Sequence, residues 1–295
     1  MPSSEATIVA TYSRRMQIRL ANDEVADARI KGKRLKPVCG DKVVAEPIEN
    51  ESDWLITAIQ PRANELSRPN MRGKVEVLAA NIDLVIVVAA ATPQTDWFIV
   101  DRYLCAAENM PADALVLFNK TDIAAAVDEF TDYAKIGYAT LTCSASDGSN
   151  IAQIGEHIGQ RTAIMVGQSG VGKSSIINAL TGNAAQRTAA VSDKTSEGRH
   201  TTVNSEMLDT PGGGRIIDSP GVRDYAPALT DSTQVLRGFR EVESAGQECR
   251  FANCRHLREP HCAVKSGVES ATISPRRYES YRRLLALTER LDIKG

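Results

Sequence analysis

Long apolar runs are missing from this 295-residue sequence. A helix that crosses a membrane needs roughly 18–20 consecutive apolar residues, and the apolar run IDLVIVVAAA (82–91) is far shorter. The opening residues also lack a basic segment that leads into an apolar one, which is the pattern of a secretory signal. We therefore expect a cytoplasmic protein with no membrane partner.

A strong excess of charge of either sign is also missing. The net charge is -2: residues 69–228 carry 12 basic and 18 acidic side chains, and the two flanks are mildly basic. This distribution argues against a protein that coats a nucleic-acid duplex. It allows local contacts with phosphates, for example through RIKGKRLK (29–36), which has five cations and no acid. A solvated loop explains that stretch equally well.

Turn residues divide the first part of the chain into short segments. MQIRLA and DWLITAI have strand character, and stretches such as GKRLKPVCGD and EPIENESD separate them. About five strands in this length fit a small closed barrel of the OB type. We therefore predict an OB-fold β-barrel over residues 1–68, which ends in a linker, RANELSRPN (62–70).

The middle of the chain alternates apolar strands with helical stretches. Strands are predicted at 82–91, 113–118, 138–143 and 163–167, with helices between and after them. Such alternation is typical of an α/β fold with a doubly wound parallel sheet. We predict that this domain covers 69–228. From 229 to 295 only helical periodicity remains, which predicts a helical third domain.

The segment GQSGVGKS (167–174) matches the phosphate-binding P-loop pattern G-x-x-x-x-G-K-[ST] in full. Its glycines let backbone N–H groups turn toward phosphates, and the N-terminus of the following helix favours anions. Lys173 is predicted to reach the β- and γ-phosphates, and Ser174 to bind Mg²⁺. The predicted phosphate-binding residues are Gly167, Gln168, Ser169, Gly170, Val171, Gly172, Lys173, Ser174 and Ser175.

Two Asp-x-Pro-Gly sequences compete for the second magnesium-binding position. Asp209 leads straight into a run of glycines, which is typical of a tight turn. Asp218 follows two isoleucines, so a buried strand would carry its carboxylate to the phosphates. We predict that Asp218 binds Mg²⁺ through water and that the Gly221 N–H meets the γ-phosphate. A threonine before them completes the magnesium site; Thr201 and Thr202 both qualify, and Thr202 is favoured.

The motif Asn119-Lys-Thr-Asp122 follows an apolar strand and predicts guanine recognition. Asp122 can accept hydrogen bonds from N1–H and the exocyclic amino group of guanine. Adenine has an acceptor at N1 and no amino group there, so it would leave the carboxylate unpaired. The loop CSASDGS (143–149) fits a second base contact. The predicted base-binding residues are Asn119, Lys120, Thr121, Asp122, Ser144 and Ala145.

The order of these motifs is unusual, because the base-reading motif precedes the phosphate loop. Joining the usual ends and cutting the chain elsewhere leaves every strand in place, so the site survives. This order resembles the circularly permuted P-loop GTPases, and in particular the RsgA family of small-ribosomal-subunit biogenesis GTPases. The resemblance includes VCGDKV, PRANELSRP, GRHTT, IIDSPGVRDY and RRYESYRRLL.

The resemblance implies both an architecture and a function. The architecture is an OB domain, a circularly permuted GTPase domain that binds GTP and GDP, and a C-terminal zinc-binding domain. The function is GTP hydrolysis that the small ribosomal subunit stimulates during its late maturation, with ribosomal RNA as a binding partner.

The residue that activates water is not evident from the sensor motif. Many GTPases have a glutamine after the sensor glycine, whereas this chain has Val222. Slow intrinsic turnover is therefore expected unless a partner rearranges the site. His200 can transfer a proton near neutral pH, and the resemblance to the RsgA family points to the same histidine. The alternative is a loop histidine that faces solvent or a partner.

Three of the six cysteines cluster late in the sequence beside a histidine. Cys249, Cys254, His256 and Cys262 supply three thiolates and one imidazole, which make a closed, structural zinc site. His261 is a rival ligand, but it adjoins Cys262, which makes chelation awkward, and the family pattern also favours His256. A disulfide is improbable in a reducing compartment.

The helical stretch after the cysteines carries a basic ridge, which could meet ribosomal RNA or only face solvent. It consists of Arg276, Arg277, Arg282 and Arg283. No segment has the pattern of an uncovered oligomer face, so we expect a monomer. Two other functions fit part of the pattern: a metabolic P-loop phosphotransferase, and a nucleotide-gated RNA-binding protein with negligible turnover.

Overall fold

The computed structural model describes residues 3–12, 15–69, 74–182, 203–219, 229 and 231–292. His200, Thr202, Gly221 and Val222, on which the sequence makes predictions, lie outside the described residues.

Thirteen strands and eight helices are described in this part of the chain. The strands are β1 (Ser4–Tyr12), β2 (Met16–Leu20), β3 (Val25–Ile30), β4 (Lys42–Pro47), β5 (Trp54–Ile59), β6 (Glu65–Pro69), β7 (Val75–Ala80), β8 (Leu84–Ala90), β9 (Asp113–Asn119), β10 (Ala139–Thr142), β11 (Thr162–Gly167), β12 (Val203–Asp209) and β13 (Arg215–Asp218). The helices are α1 (Trp97–Glu108), α2 (Asp128–Lys135), α3 (Ile151–Ile158), α4 (Lys173–Thr181), α5 (Ser232–Arg237), α6 (Arg240–Gly246), α7 (Ala263–Glu269) and α8 (Pro275–Asp292). None of these helices combines the length and the apolar character that crossing a membrane requires.

The first five strands close into a barrel, which confirms the OB-type prediction. β1 pairs with β2, β2 with β3, β3 with β5 in parallel, β5 with β4, and β4 returns to β1. Closure removes the exposed edges that an open five-stranded sheet would have. Alternate side chains point inward, and Ile8, Ile18, Val43 and Ile56 are fully buried in the barrel core.

The linker expected at 62–70 is wrong, because most of this segment is a paired strand. β6 pairs antiparallel with β7 in a separate two-stranded sheet. Arg62 anchors the start of the segment, since its guanidinium binds the fully buried Asp41 of the barrel at 2.7 and 2.9 Å. The Asn64 side chain binds both backbone groups of Ile82. Side-chain contacts with distant residues therefore order a stretch whose own sequence has no strand periodicity.

The central sheet has the predicted doubly wound arrangement. Its strands follow the order β10-β9-β8-β11-β13-β12, and all neighbours are parallel except β13 and β12. β8 is buried throughout: Val85 and Val87 pack under α1 and α2, and Ile86 and Val88 pack under α3 and α4. A strand covered on both faces must be apolar at every position, which explains the continuous apolar run.

The barrel is joined to the central sheet by strand pairing. β1 lies antiparallel to β12, with Ala10 opposite Glu206, so the barrel and the central strands form one eleven-stranded sheet. Both guanidinium nitrogens of Arg19 bind the two carboxylate oxygens of Asp209 at 2.7 and 2.6 Å. The barrel is therefore held against the last strands of the central domain by backbone and side-chain contacts.

At the start of the predicted helical domain lie two short helices, α5 and α6. They meet at Gly238, where an added Cβ would overlap the Sγ atom of Cys105 on α1. The close approach of α1 therefore requires glycine at the break and packs the C-terminal helices against the central domain.

The basic ridge proposed on α8 is wrong for two of its four arginines. Arg277 is buried, and its guanidinium binds Asp101 at 2.8 Å and Glu241 at 2.7 and 3.0 Å. Arg276 binds the other carboxylate oxygen of Asp101 at 2.9 Å. The buried Tyr133 hydroxyl also donates to Asp101, at 2.7 Å. This network joins α1, α2, α6 and α8, so these arginines hold the C-terminal helices to the central domain.

Replacing Asp101 with Ala is expected to lower the free energy of unfolding by about 3–5 kcal/mol, since it leaves Arg277 buried with only one carboxylate. Urea unfolding followed by far-UV circular dichroism measures the change. Glu279→Ala is the matched control, because Glu279 pairs with Arg282 on the exposed side of α8 and such pairs contribute at most about 1 kcal/mol. Equal losses in the two variants would contradict a structural role for the buried network.

Candidate nucleotide site and metal centre

The phosphate loop lies where β11 ends and α4 begins, at the carboxyl edge of the parallel sheet. Two glycines are required by close neighbours. A Cβ on Gly167 would overlap the backbone oxygen of Val88 on the adjacent strand, and one on Gly172 would overlap the side-chain amide of Asn119. Both glycines have positive φ, at 138° and 97°. The loop therefore packs closely against β8 on one side and against the base-reading motif on the other.

The first turn of α4 presents its polar residues to solvent. Ser174 and Ser175 are exposed there, and the unpaired N–H groups of a helix N-terminus attract anions. The Lys173 ammonium folds back onto the loop and donates to the backbone oxygens of Gly167 and Gln168 at 2.7 and 2.8 Å. Of the predicted phosphate-binding residues, Ser169, Gly170, Ser174 and Ser175 are exposed, whereas Gly167 and Val171 are buried.

The base-reading motif contacts the phosphate loop directly. The Asn119 side chain donates to the backbone oxygen of Val171 at 2.8 Å. The Lys120 ammonium donates to the backbone oxygens of Gly170 and Thr92 at 2.8 and 2.7 Å. The contacts with the phosphate loop join segments about fifty residues apart in the sequence. The base-reading motif comes first, which is the opposite of the order in most GTPases. The two halves therefore meet because β9 and β11 flank β8 in the sheet.

The second predicted base loop is bound to the first. The Thr121 hydroxyl donates to the backbone oxygen of Cys143 at 3.0 Å, and the Ala145 N–H donates to the side chain of Asn119 at 3.2 Å. The buried Ser144 hydroxyl donates to one carboxylate oxygen of Asp122 at 2.7 Å. The structure thus brings together all six predicted base-binding residues.

Hydroxyl groups stabilise the carboxylate form of Asp122. Hydrogen bonds from Ser144 and then from Ser146 lower its pKa, because they stabilise the carboxylate. Ser146 was not predicted from the sequence; its hydroxyl donates to the second carboxylate oxygen at 2.7 Å. Asp122 is exposed, so its two oxygens can accept further hydrogen bonds from a ligand.

A loop that the sequence analysis missed supports the phosphate loop. This loop consists of residues 91–96, which follow β8. The backbone N–H of Asp96 donates to the Gln168 side chain at 2.8 Å. Gln168 in turn donates to the backbone oxygen of Gln94 at 3.2 Å. The buried Thr95 hydroxyl bonds both backbone groups of Ala90, which fixes the loop to the strand end. Nothing but its place after an apolar strand marks this loop in the sequence.

The two Asp-x-Pro-Gly sequences begin at the carboxyl ends of two adjacent antiparallel strands, β12 and β13, and so lie at opposite edges of the sheet. Asp209 begins the turn between β12 and β13, which Thr210 closes by hydrogen bonds with Gly214. Asp218 ends β13, on the edge that also bears the phosphate loop, because β13 runs parallel to β11. The placement agrees with the assignment of Asp209 to a turn and of Asp218 to the phosphate edge.

A second acidic residue lies beside Asp218. Glu206 is its antiparallel partner on β12, and burial, followed by the charge of Asp218, raises the pKa of Glu206. The two carboxyl groups are therefore close enough to repel each other when both are ionised. Glu206 was not predicted from the sequence, since only strand register places it there.

The predicted zinc ligands converge on one point. The three thiol sulfurs and one imidazole nitrogen of Cys249, Cys254, His256 and Cys262 all lie within 4.8 Å of one another. The sulfurs of Cys249 and Cys262 are 3.8 Å apart, and His256 Nδ1 is 3.5 Å from each. A tetrahedral zinc with bonds of about 2.3 Å to sulfur and about 2.0 Å to nitrogen needs nearly these spacings. The geometry therefore fits zinc.

The thiols also have the electrostatics of a metal site. Burial opposes ionisation of Cys249, but N–H groups at the start of α7 and the neighbouring thiols lower its pKa overall. Burial, together with the other two thiols, raises the pKa of Cys254 to about 12. Burial lowers the pKa of His256, which keeps the imidazole neutral. Three thiolates this close need a cation between them.

Neighbouring residues hold the ligand loop in place. The Tyr278 hydroxyl of α8 donates to the backbone oxygen of His256 at 2.5 Å. Gly246 ends α6 so close to the His256 ring that a Cβ there would lie 3.0 Å from it. Glu259 accepts backbone N–H groups from Arg255, Leu257 and Arg258. The rival His261 is exposed and does not belong to the cluster.

Comparison with known proteins adds independent evidence. The family model described as RsgA GTPase matches residues 59–227. The chain is 38% identical over 293 residues to the small ribosomal subunit biogenesis GTPase RsgA of Haemophilus influenzae (strain 86-028NP), covering 96% of this chain and 84% of the relative. It is 35% identical over 294 residues to the protein of that name from Actinobacillus succinogenes, with the same coverage.

Two solved structures share the architecture. YjeQ from Thermotoga maritima matches with a TM-score of 0.74 and 26% identity, over 97% of this chain and 99% of that one. YloQ, described as a circularly permuted GTPase, matches with a TM-score of 0.71 and 24% identity, over 98% and 96%. Both likenesses run through the barrel, the central sheet and the C-terminal helices, since they cover nearly the whole chain.

Proposed function

Because the chain belongs to the RsgA GTPase family and is a GTP-hydrolysing enzyme, we propose that it acts on the small ribosomal subunit. The relatives named above are small-ribosomal-subunit biogenesis GTPases. In this proposal the protein binds the subunit during late maturation in the cytoplasm, as a monomer, and the subunit stimulates its turnover. GTP hydrolysis then times the stay of the protein on the subunit.

The proposed guanosine nucleotide lies across the contact between the base-reading motif and the phosphate loop. This contact, made by Asn119 and Lys120 with the backbone of the P-loop, is the observation that carries the proposal. Asp122 reads the N1–H and amino group of guanine. Backbone N–H groups of 167–175 bind the phosphates, together with Lys173 and the N–H of Gly221.

Two metal ions have different roles in this proposal. Ser174, Thr202 and Asp218 hold Mg²⁺, which neutralises charge on the β- and γ-phosphates when GTP is bound. Cys249, Cys254, His256 and Cys262 hold one structural zinc ion, which leaves no ligand position open for catalysis. His200 accepts the proton of the attacking water, because no hydrogen-bonding side chain follows the sensor glycine at Val222.

The domains divide the work between RNA contact and timing. We assign 1–68 to an OB domain, 69–228 to the GTPase domain and 229–295 to the zinc domain. The exposed cations of 29–36 lie in the barrel, and they suit contacts with ribosomal RNA phosphates. On α8, Arg282 is half exposed and carries the same kind of charge. The outer domains therefore bind the subunit on either side of the GTPase domain.

GTP hydrolysis by the purified protein is expected to rise at least about tenfold with small subunits and to stay unchanged with large subunits. Release of inorganic phosphate measures this. The His200→Ala variant is expected to keep its affinity for GDP and lose the stimulated rate. Transfer of the phosphate to a metabolite would instead indicate a phosphotransferase. Binding of RNA without turnover under any condition would indicate a nucleotide-gated RNA-binding protein.

A further inference from the structure

The second base loop holds Asp122 at two points. Ser144 donates to one carboxylate oxygen and Ser146 to the other, each at 2.7 Å. We propose that Ser146 is a specificity-determining positioning residue: its hydroxyl fixes the plane of the Asp122 carboxylate so that both oxygens face the two N–H groups of guanine. The inference rests on the proposed role of Asp122 in reading the base.

A carboxylate bound at one oxygen can still turn. The last torsion of an aspartate side chain is broad and roughly two-fold, so no single plane is preferred by the residue itself. Asp122 is exposed, so packing does not restrict it either. Hydrogen bonds to both oxygens remove this freedom. Ser144 alone holds one oxygen of the carboxylate. Ser146 holds the second oxygen and therefore fixes the plane of the group.

The backbone sets the position of the Ser146 hydroxyl. On one side, the Ala145 N–H is bound to Asn119. On the other, the Gly148 N–H donates to the backbone oxygen of Ser144 at 3.0 Å, and the Ser149 N–H donates to the Asp147 carboxylate at 2.8 Å. A tight turn held at both ends presents Ser146 to Asp122 before any ligand arrives. Such preorganisation reduces the ordering cost of binding.

The surrounding charge makes the second hydroxyl more useful. The Asp147 carboxylate opposes ionisation of Asp122, while Ser144 and Ser146 favour it and lower the pKa of Asp122. An ionised carboxylate can accept from two N–H groups of a base and from both serines, because each oxygen accepts two hydrogen bonds. The two hydroxyls therefore stabilise the carboxylate in the orientation that guanine reading requires.

Inosine diphosphate (IDP), whose base is hypoxanthine, is the ligand that isolates this effect. Hypoxanthine has the N1–H of guanine and lacks the exocyclic amino group, so IDP loses one of the two proposed contacts with Asp122. The ratio of the dissociation constants of IDP and GDP then measures how well Asp122 engages the amino group. A loop that was merely loosened would weaken both nucleotides alike and leave this ratio unchanged.

The test measures GDP and IDP binding to the full chain by competition with a fluorescent guanosine nucleotide. Ser146→Ala is expected to reduce the IDP to GDP ratio by about three- to tenfold, since a hydrogen bond to a charged group is lost. Ser146→Thr, which keeps the hydroxyl, should restore it. Ser149→Ala is the matched control, because its hydroxyl bonds Asp147 and not Asp122, and its ratio should equal that of the parent chain.

Three results separate failure of this inference from failure of the base assignment. An unchanged ratio in Ser146→Ala, with a ratio near one in Asp122→Ala, overturns the role of Ser146 alone. An unchanged ratio in Asp122→Ala overturns the base assignment itself. A lowered ratio in Ser149→Ala as well as Ser146→Ala also overturns the inference, because the effect would then not depend on a hydroxyl that bonds Asp122. Thermal unfolding of each variant confirms that the fold is kept.

Discussion

Replacing Asp122 with Asn is expected to reverse the nucleotide preference of the protein from guanine to xanthine. The amide can accept only one of the two guanine N–H groups and places its own N–H₂ toward the amino group. Losing one charge-assisted hydrogen bond and leaving a donor unpaired costs about 3–5 kcal/mol, which is roughly a 10²- to 4 × 10³-fold loss of GDP affinity. Xanthine has a carbonyl oxygen in place of the amino group and so fits the amide.

Competition binding with GDP, XDP and ADP measures this exchange of specificity. The Ser144 and Ser146 hydroxyls can accept as well as donate hydrogen bonds, so they can hold the amide as they hold the carboxylate. Asp147→Asn is the control, because Asp147 lies in the same loop and bonds Ser149; its preference for GDP should be unchanged. Unaltered GDP affinity in Asp122→Asn would show that the base binds elsewhere.

Replacing His256 with Ala is expected to abolish zinc binding and unfold the C-terminal helices. Structural zinc sites supply on the order of 10 kcal/mol of apparent stabilisation at neutral pH, so these helices would lose a large part of their stabilisation with the metal. Zinc content per chain, measured with a chromogenic chelator, should fall from one to near zero. The helical circular dichroism signal should fall with it.

His261→Ala is the matched control for the zinc site. His261 is exposed and adjoins Cys262 but lies outside the ligand cluster, so this variant should keep one zinc ion per chain. Acidification should release zinc from the parent chain, because protons compete for the thiolates and the imidazole and metal affinity falls as the pH falls. If His261→Ala lost zinc and His256→Ala kept it, His261 would be the ligand and His256 would not.

Motifs with a fixed local spacing were predicted well. The phosphate loop is one strand-to-helix turn, so GQSGVGKS alone places its glycines, lysine and serine. The predicted metal ligands span only 249–262, and their spacing limits how the thiols can meet. The apolar run at 82–91 predicted a strand covered on both faces, and β8 is that strand. In each case the residues that form the feature lie close together in the sequence, so the sequence alone shows them.

Contacts between distant segments that no motif marks were predicted poorly. The segment at 62–70 was taken for a linker because its ordering partners, Asp41 and Ile82, lie elsewhere in the chain. Arg277 was taken for a surface cation because Asp101, its main partner, lies 176 residues away. Glu206 and Ser146 were missed for a related reason, since strand register and loop geometry bring them to their partners.

The sequence by itself determined the fold class, the presence of a guanine-binding P-loop domain and a four-ligand metal cluster. It determined these because periodicity and local spacing reflect backbone geometry directly. Only the tertiary structure decided which side chains hold Asp122 and the phosphate loop, and which arginines are buried between domains. Those features depend on which strands are neighbours in the sheet. The order of the strands along the chain does not determine this, because more than one order gives the same neighbours.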